Sequence, residues 1–140
     1  VEAVPTMLTE ENARELLRGM TAVVDCLDNF DTRRIISRVA RELSIPLVHA
    51  AIAGFTGQVT TIMPGTDGME RLYRESDGGN HGIELLLGNP ATTPAFAASL
   101  QAQEVVKLVT GVGDVLDGKL LYFDLEHNIF EIYALTGGRK

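Results

Sequence analysis

Val23-Val24-Asp25-Cys26-Leu27-Asp28-Asn29, followed directly by Phe30-Asp31-Thr32-Arg33, is the stretch on which the fold turns. Ala22 to Cys26 is a short apolar run, the form taken by a strand buried on both faces. Asp28 or Asn29 can then cap a helix over Phe30–Leu43. In that segment Phe30, Ile35, Ile36, Val39, Ala40 and Leu43 follow a helical period, and the arginines fall on the other face. A strand that passes through a polar turn into an amphipathic helix is the repeating unit of an α/β protein. Ligands of open α/β sheets gather at the carboxyl ends of strands, where Asp25, Asp28 and Asn29 stand. A carboxylate there can hold Mg²⁺, and the ion in turn neutralises a triphosphate. Spacing alone favours the plainer role, in which Asp28 or Asn29 caps the helix.

Working outward, Val1–Val4 reads as the end of a strand closed by Pro5, and Thr9 can cap a helix over Glu10–Arg18 that ends at Gly19. On the other side, Leu47–Ala53 after Pro46 reads as an apolar strand. The order β-α-β-α-β implies a parallel sheet with right-handed crossovers. Gly54 and Gly57 then flank a turn, and Gln58–Met63 alternates like a strand with one wetter face, so an antiparallel extension is expected there. Residues 64–94 are rich in Gly, Asn, Asp, Thr and Pro, and the length of this crossover points to a functional segment. A helix from Pro94 to Thr110, stopped by Gly111, leads to a hairpin of Lys119–Asp124 and Ile129–Leu135, with 136–140 expected to fray. The predicted fold is α/β, a partial Rossmann-like parallel sheet continued by antiparallel strands and a C-terminal hairpin, with flanking helices. Residues 1–140 read as a single domain.

Composition bounds the function. A chain of 140 residues, 45% of them hydrophobic, suits one soluble domain with one core. A net charge of −7, from 12 Lys and Arg against 19 Asp and Glu, argues against nucleic acid as a partner. No apolar run has the roughly 18 residues of a membrane span. The chain opens on Val1-Glu2-Ala3-Val4, without a signal peptide or initiator Met, and its true start is expected elsewhere. The single cysteine, Cys26, allows no disulfide framework, suits a reducing cytoplasm and reads as a small buried hydrophobe. His49, His81 and His127 show no metal-ligand spacing: His49 reads as a satisfied core residue, and His81 falls in the crossover. Arg33, Arg34, Arg38 and Arg41 form a basic helical face, read as solvated or paired with acids, with phosphate or an acidic partner as the alternative. No GxGxxG follows a strand and no GxxxxGK[ST] occurs, so this chain alone offers phosphates no backbone cradle.

With that order established, Asp25–Gly65, DCLDNFDTRRIISRVARELSIPLVHAAIAGFTGQVTTIMPG, resembles the ThiF/MoeB/HesA family, relatives of ubiquitin-activating enzymes. The core of the resemblance is D-x-x-DN-x-x-x-R from Asp25 to Arg33, followed by PLV at Pro46–Val48 and GFTGQVT at Gly54–Thr60. SLQAQEVVKLVTG at Ser99–Gly111 is similar to the family's late helix, and GKLLYFDLEHNIFEI at Gly118–Ile132 to its closing hairpin. The resemblance runs in order through nearly the whole chain and matches the carboxyl-terminal part of the family domain.

It implies an ATP-dependent adenylyltransferase that activates the C-terminal carboxylate of a ubiquitin-like sulfur-carrier protein, as in thiamine or molybdopterin sulfur transfer. Asp28 then matches the family's essential aspartate near Mg²⁺ and the phosphates, and Asn29 its neighbour in the ATP pocket, a role compatible with capping. Both ATP and Mg²⁺ would require the amino-terminal half that carries the glycine-rich loop, so the chain alone is expected to be inactive. A cytoplasmic homodimer is expected, with neither nucleic acid nor membrane as partner. The zinc-binding CxxC pairs of many members are missing: the first position reads Met69-Glu70-Arg71-Leu72-Tyr73-Arg74, so no zinc is expected. The crossover cysteine of some members would fall near Glu84, which argues against a thioester on the protein itself. The alternative is a non-catalytic interaction or dimerisation module of the same family.

Overall fold

A computed structural model of the chain describes residues 1–66, 69, 72, 73 and 88–135. Its elements run α1 (Ala13–Leu17), β1 (Val23–Asp25), α2 (Phe30–Glu42), β2 (Leu47–Ala53), β3 (Thr56–Ile62), α3 (Thr92–Thr110), β4 (Lys119–Asp124) and β5 (Ile129–Ala134). The strands form one sheet in the order β1-β2-β3-β4-β5. Among the described strands only β1 and β2 pair in parallel, with Val23 opposite Leu47 and Asp25 opposite His49; the later pairs are antiparallel. The mixed sheet is therefore a parallel start continued by an antiparallel meander and a closing hairpin, as the sequence implies.

The two faces of the sheet carry separate apolar clusters. Val23, Leu47 and Ile62 pack with Ile36 and Ala40 of α2, whereas Ala50, Val59 and Phe123 pack with Ala97 of α3. Leu47 and Ala50 are three residues apart on one strand, so strand alternation sends them to opposite sides. The helices thus cover the sheet from both faces, which lets the central strands β2 and β3 be buried almost throughout.

Three polar residues on the inner side of α3 act as staples. Gln101 Nε2 donates to the carbonyls of Asp25 (2.8 Å) and Val48 (3.2 Å). Glu104 accepts from Thr61 Oγ1 (2.5 Å) and from the N–H of Leu116 (2.8 Å). Thr93 Oγ1 donates to the Gly54 carbonyl at 2.9 Å. Each ties α3 to a strand end or connection whose backbone groups need a partner when buried. Gly111, in the left-handed conformation at φ 69°, closes the helix with its N–H on the Lys107 carbonyl.

Several expectations are corrected. Val1–Val4 is no strand: these residues are exposed and lie outside the sheet, so the parallel part is the β1–β2 pair alone. The first helix starts at Ala13 instead of Glu10. Asn12 uses its side chain backward, accepting from the Thr9 N–H and donating to the Met7 carbonyl, both at 2.8 Å, and this competes with an earlier helical turn. β1 is buried on one face only, with Val24 43% exposed between Val23 and Asp25. The last helix begins at Thr92, so Pro94 sits inside its first turn, where no N–H is missed. Of the crossover over 64–94, residues 67, 68, 70, 71 and 74–87, including His81 and Glu84, lie outside the described residues, as do residues 136–140. No helix among the described residues is long and apolar enough to cross a membrane.

Candidate functional site

The carboxyl ends of β1 and β2 and the start of β3 enclose a cleft of about 380 Å³. Its wall includes Cys26, Asp28 and Phe30, and its floor includes Ala51, Gln58 and Tyr122. The floor residues form one cross-strand row, because Ala51 pairs with Gln58 and Gln58 with Tyr122.

The turn between β1 and α2 sets the chemistry of this cleft. Asn29 has extended backbone (φ −138°, ψ 146°), and its side chain accepts from the Thr32 N–H at 2.9 Å. Asn29 is therefore the helix cap, and this relieves Asp28 of the role. Asp28 is exposed, and its Oδ1 accepts from Asn29 Nδ2 at 3.3 Å. Its carboxylate faces the cleft with most of its acceptor capacity unused by the described residues.

The flanking charges of the motif do something different from what their sequence suggests. Asp25 is completely buried. Its Oδ1 accepts from the Leu27 N–H at 2.9 Å, while Oδ2 lies 2.6 Å from His49 Nδ1 and 3.4 Å from Arg33 Nε. Arg33 donates to the Leu27 carbonyl and, at 3.4 Å, to the Ala50 carbonyl, with its guanidinium 5.9 Å from the Phe30 ring centre. Leu27 is thus held at its N–H by Asp25 and at its C=O by Arg33. The turn that carries Asp28 is clamped from both sides before any ligand arrives, as preorganised chemistry requires.

Arg33 consequently leaves the basic face to which its charge assigned it. It shares the inward stripe of α2 with Ile36 and Ala40, at spacings of three and seven residues, and that spacing is the signal that identifies it. Of the remaining arginines, Arg38 pairs with Glu10 and Glu42, and Arg14 of α1 also reaches Glu42. His49 is the satisfied core residue expected, fully buried between Asp25 and the Tyr73 hydroxyl at 2.9 Å. Tyr73 and Gln58 meet at 3.1 Å, and nothing local in the sequence marks this pairing, which spans β3 and the crossover.

Cys26 is a correction. It is exposed beside the cleft, because strand alternation that buries Asp25 turns its neighbour outward. Its Sγ lies 3.7 Å from Gln101 Oε1. Partial burial, followed by the negative charge of Asp25, pushes its thiol pKa up, which keeps it protonated and a poor nucleophile. At the far end of the sheet, Asp124 caps the β4–β5 turn through the N–H groups of Glu126 (2.9 Å) and His127 (3.2 Å), and its Oδ2 lies 2.9 Å from His127 Nδ1. The hydrogen bond raises the His127 pKa and lowers that of Asp124.

Comparison with known proteins gives this geometry a context. Residues 1–139 match the model of the ThiF family. The chain is 36% identical over 132 residues to the SAMP-activating enzyme E1 of Haloferax volcanii, covering 94% of this chain and 49% of that protein. It is 40% identical over 131 residues to the sulfur carrier protein adenylyltransferase of Thermus thermophilus, covering 89% and 48%. Adenylyltransferase and sulfurtransferase MOCS3 of Drosophila sechellia is 35% identical over 144 residues, with 95% and 30% covered. Among solved structures, selenomethionine PaaA superposes with a TM-score of 0.64 at 16% identity, over 91% of this chain and 46% of the other, a likeness of fold alone. The chain spans about half the length of the first two relatives and less of the third.

Proposed function

The chain belongs to the ThiF family, and from that premise we propose that the protein containing it adenylates the C-terminal carboxylate of a ubiquitin-like sulfur-carrier protein. The observation that carries this reading is the exposed Asp28, presented at the carboxyl end of β1 on a turn clamped by Asp25 and Arg33. A carboxylate is a poor electrophile until AMP becomes its leaving group, and shielding of the triphosphate by a divalent cation is the chemistry that a bound Mg²⁺ supplies. The donor set fits that ion in part. Asp28 offers a hard, accessible carboxylate oxygen, held in place by the Asn29 amide.

Within this chain, Asp28 orients the charged end of the nucleotide and Asn29 fixes the start of α2 beside it. The row Ala51, Gln58 and Tyr122 forms a floor on which the extended carrier terminus lies. Neither a GxGxxG after a strand nor a GxxxxGK[ST] occurs in residues 1–140, so on this reading Asp28 acts together with phosphate-binding groups outside this motif. We further assign a cytoplasmic homodimer, with thiamine or molybdopterin sulfur transfer as the pathway class.

The test is ATP–pyrophosphate exchange by the full-length protein in the presence of its carrier. Asp28→Ala is expected to lower exchange at least a hundredfold, in the range seen when a preorganised electrostatic group is removed. Wild-type-like exchange by Asp28→Ala refutes the assignment of Asp28. Carrier binding without any exchange by the unsubstituted protein refutes the enzyme reading and favours an interaction module.

A further inference from the structure

Behind the floor of the Asp28 cleft runs a chain of four polar side chains whose hydrogen-bond directions can be worked out in sequence. Asp25 as a carboxylate has only acceptors, so His49 Nδ1 donates to it across 2.6 Å. The charge of Asp25 is already balanced by Arg33 at 3.4 Å, and a second buried cation on His49 would be uncompensated. His49 is therefore the neutral tautomer with its proton on Nδ1, and Nε2 is an acceptor. The only donor at Nε2 among the described residues is the Tyr73 hydroxyl, at 2.9 Å. Tyr73 has one proton and gives it to His49, so its oxygen can only accept from Gln58, 3.1 Å away. The Gln58 amide must then turn Nε2 toward Tyr73. Its other end, Oε1, has no hydrogen-bond partner among the described residues, and Gln58 lines the cleft.

We propose that Gln58 is a specificity residue of this cleft: its Oε1, held outward by the Asp25–His49–Tyr73 chain, accepts a hydrogen bond from an N–H group of the bound ligand. The proposal rests on the reading of the Asp28 cleft as the activation site. The donor class is a neutral N–H, which an extended peptide end carries on its backbone and a purine carries on its exocyclic amine. The floor position favours the peptide, because Gln58 lies in the central strand of the row Ala51–Gln58–Tyr122 and a chain laid across that row passes directly over it. His49 and Tyr73 are positioning residues that act through Gln58.

The chain of directions has a consequence that a purely structural role lacks. Among the described residues His49 is the acceptor for Tyr73, so in His49→Leu the Tyr73 hydroxyl is expected to donate to Gln58 instead. The amide turns over and shows the cleft its NH₂ group, which repels an N–H donor. His49→Leu is thus expected to weaken the ligand more than Gln58→Met does, even though His49 lies behind the cleft floor.

The experiment uses the full-length protein with three carriers, the natural one and two semisynthetic ones, each with an ester in place of one of the last two peptide bonds and so lacking that N–H. ATP is compared in parallel with purine riboside triphosphate, which lacks the exocyclic amine. Loss of one hydrogen bond is expected to raise KM roughly tenfold. The expected result is that one ester position raises the wild-type KM by that factor with kcat little changed, while Gln58→Met shows no difference between amide and ester. The same pattern with the two nucleotides would assign the donor to the purine and still support the acceptor role of Gln58. If wild type and Gln58→Met respond alike to every substitution, the proposal is overturned. Calorimetric titration of all three carriers and both nucleotides reads the same differences without turnover, so a protein that makes no acyl-adenylate refutes the proposed function and leaves Gln58 separately testable. Gln58 is half-buried at the cleft, so Gln58→Met keeps the test available should His49→Leu fail to fold.

Discussion

Removing the carboxylate of Asp25 is expected to be among the most damaging single changes in the chain, and the structure gives its size. Asp25→Ala strips the Leu27 N–H of its 2.9 Å acceptor and His49 Nδ1 of its 2.6 Å partner, and it leaves the Arg33 guanidinium without a counter-charge. Each orphaned buried hydrogen-bonding group costs about 1–3 kcal/mol, and breaking a buried ion pair from one side costs about 3–5 kcal/mol. The losses share one cluster and do not add, so a total near 4 kcal/mol is expected. Against a domain stability of about 5–15 kcal/mol, that is a large share. With a urea m-value of about 1–3 kcal/mol/M, the midpoint should fall by about 1.3 M or more. The double variant Asp25→Leu/Arg33→Met removes both charges and fills the space, and it is expected to recover at least half of the loss. Urea unfolding followed by circular dichroism measures all three proteins. A midpoint for Asp25→Ala within about 0.3 M of wild type, or a double variant no better than the single one, would refute the clamp and the charge balance together.

Other expectations follow from the same contacts. Asn29→Ala should cost about 1 kcal/mol, read as a shift in urea midpoint, because the Thr32 N–H loses its cap; an equal loss in Asp28→Ala would contradict the division of roles. Gly57→Ala should destabilise by about 1–3 kcal/mol, since an added Cβ would lie 2.7 Å from Phe123 Cε1, and trimming that ring with Phe123→Leu should restore part of the loss. His127 should titrate above its ordinary value of about 6.5 in an NMR pH series and return toward it in Asp124→Asn. The sign of its linkage is fixed by the two shifts. The raised His127 contributes fully below about 6.5 and loses its contribution as pH rises through its folded value, whereas the lowered Asp124 loses its own as pH falls through its folded value. The pair therefore supports the turn most between those limits.

The order of strands and helices was legible because apolar period and breakers agree from Val23 onward. Leu47–Ala53 and the end of the last helix at Thr110 fall where Pro46 and Gly111 place them. The misplaced polar side chains share a cause: each satisfies backbone groups, nearby or across the fold. Asn12 shortens the first helix, Arg33 leaves its arginine neighbours, and Gln101 and Glu104 turn a polar stretch of the last helix inward. A hydrophobicity pattern scores such residues as solvent-facing, because their burial is made tolerable only by partners 3 to 76 positions away.

The motif D-x-x-DN-x-x-x-R is best understood through that same rule. Read as a string, it offers three charges of equal standing at the end of a strand, and any of them could serve a ligand. In three dimensions the outer two are consumed: Asp25 and Arg33 neutralise one another and hold the two backbone groups of Leu27. Asn29 is consumed by the helix, leaving Asp28 as the charge of the motif with capacity to spare. An exposed carboxylate on a mobile turn would be an ordinary surface acid. The physical difference here is that its backbone is fixed by partly buried, charge-assisted bonds, so it can be aimed at a cation or phosphate without the entropic cost of ordering the turn. On this argument the spacing of the motif is set by the clamp, and a longer or shorter turn between Asp25 and Arg33 should disable Asp28 even where every residue type is kept.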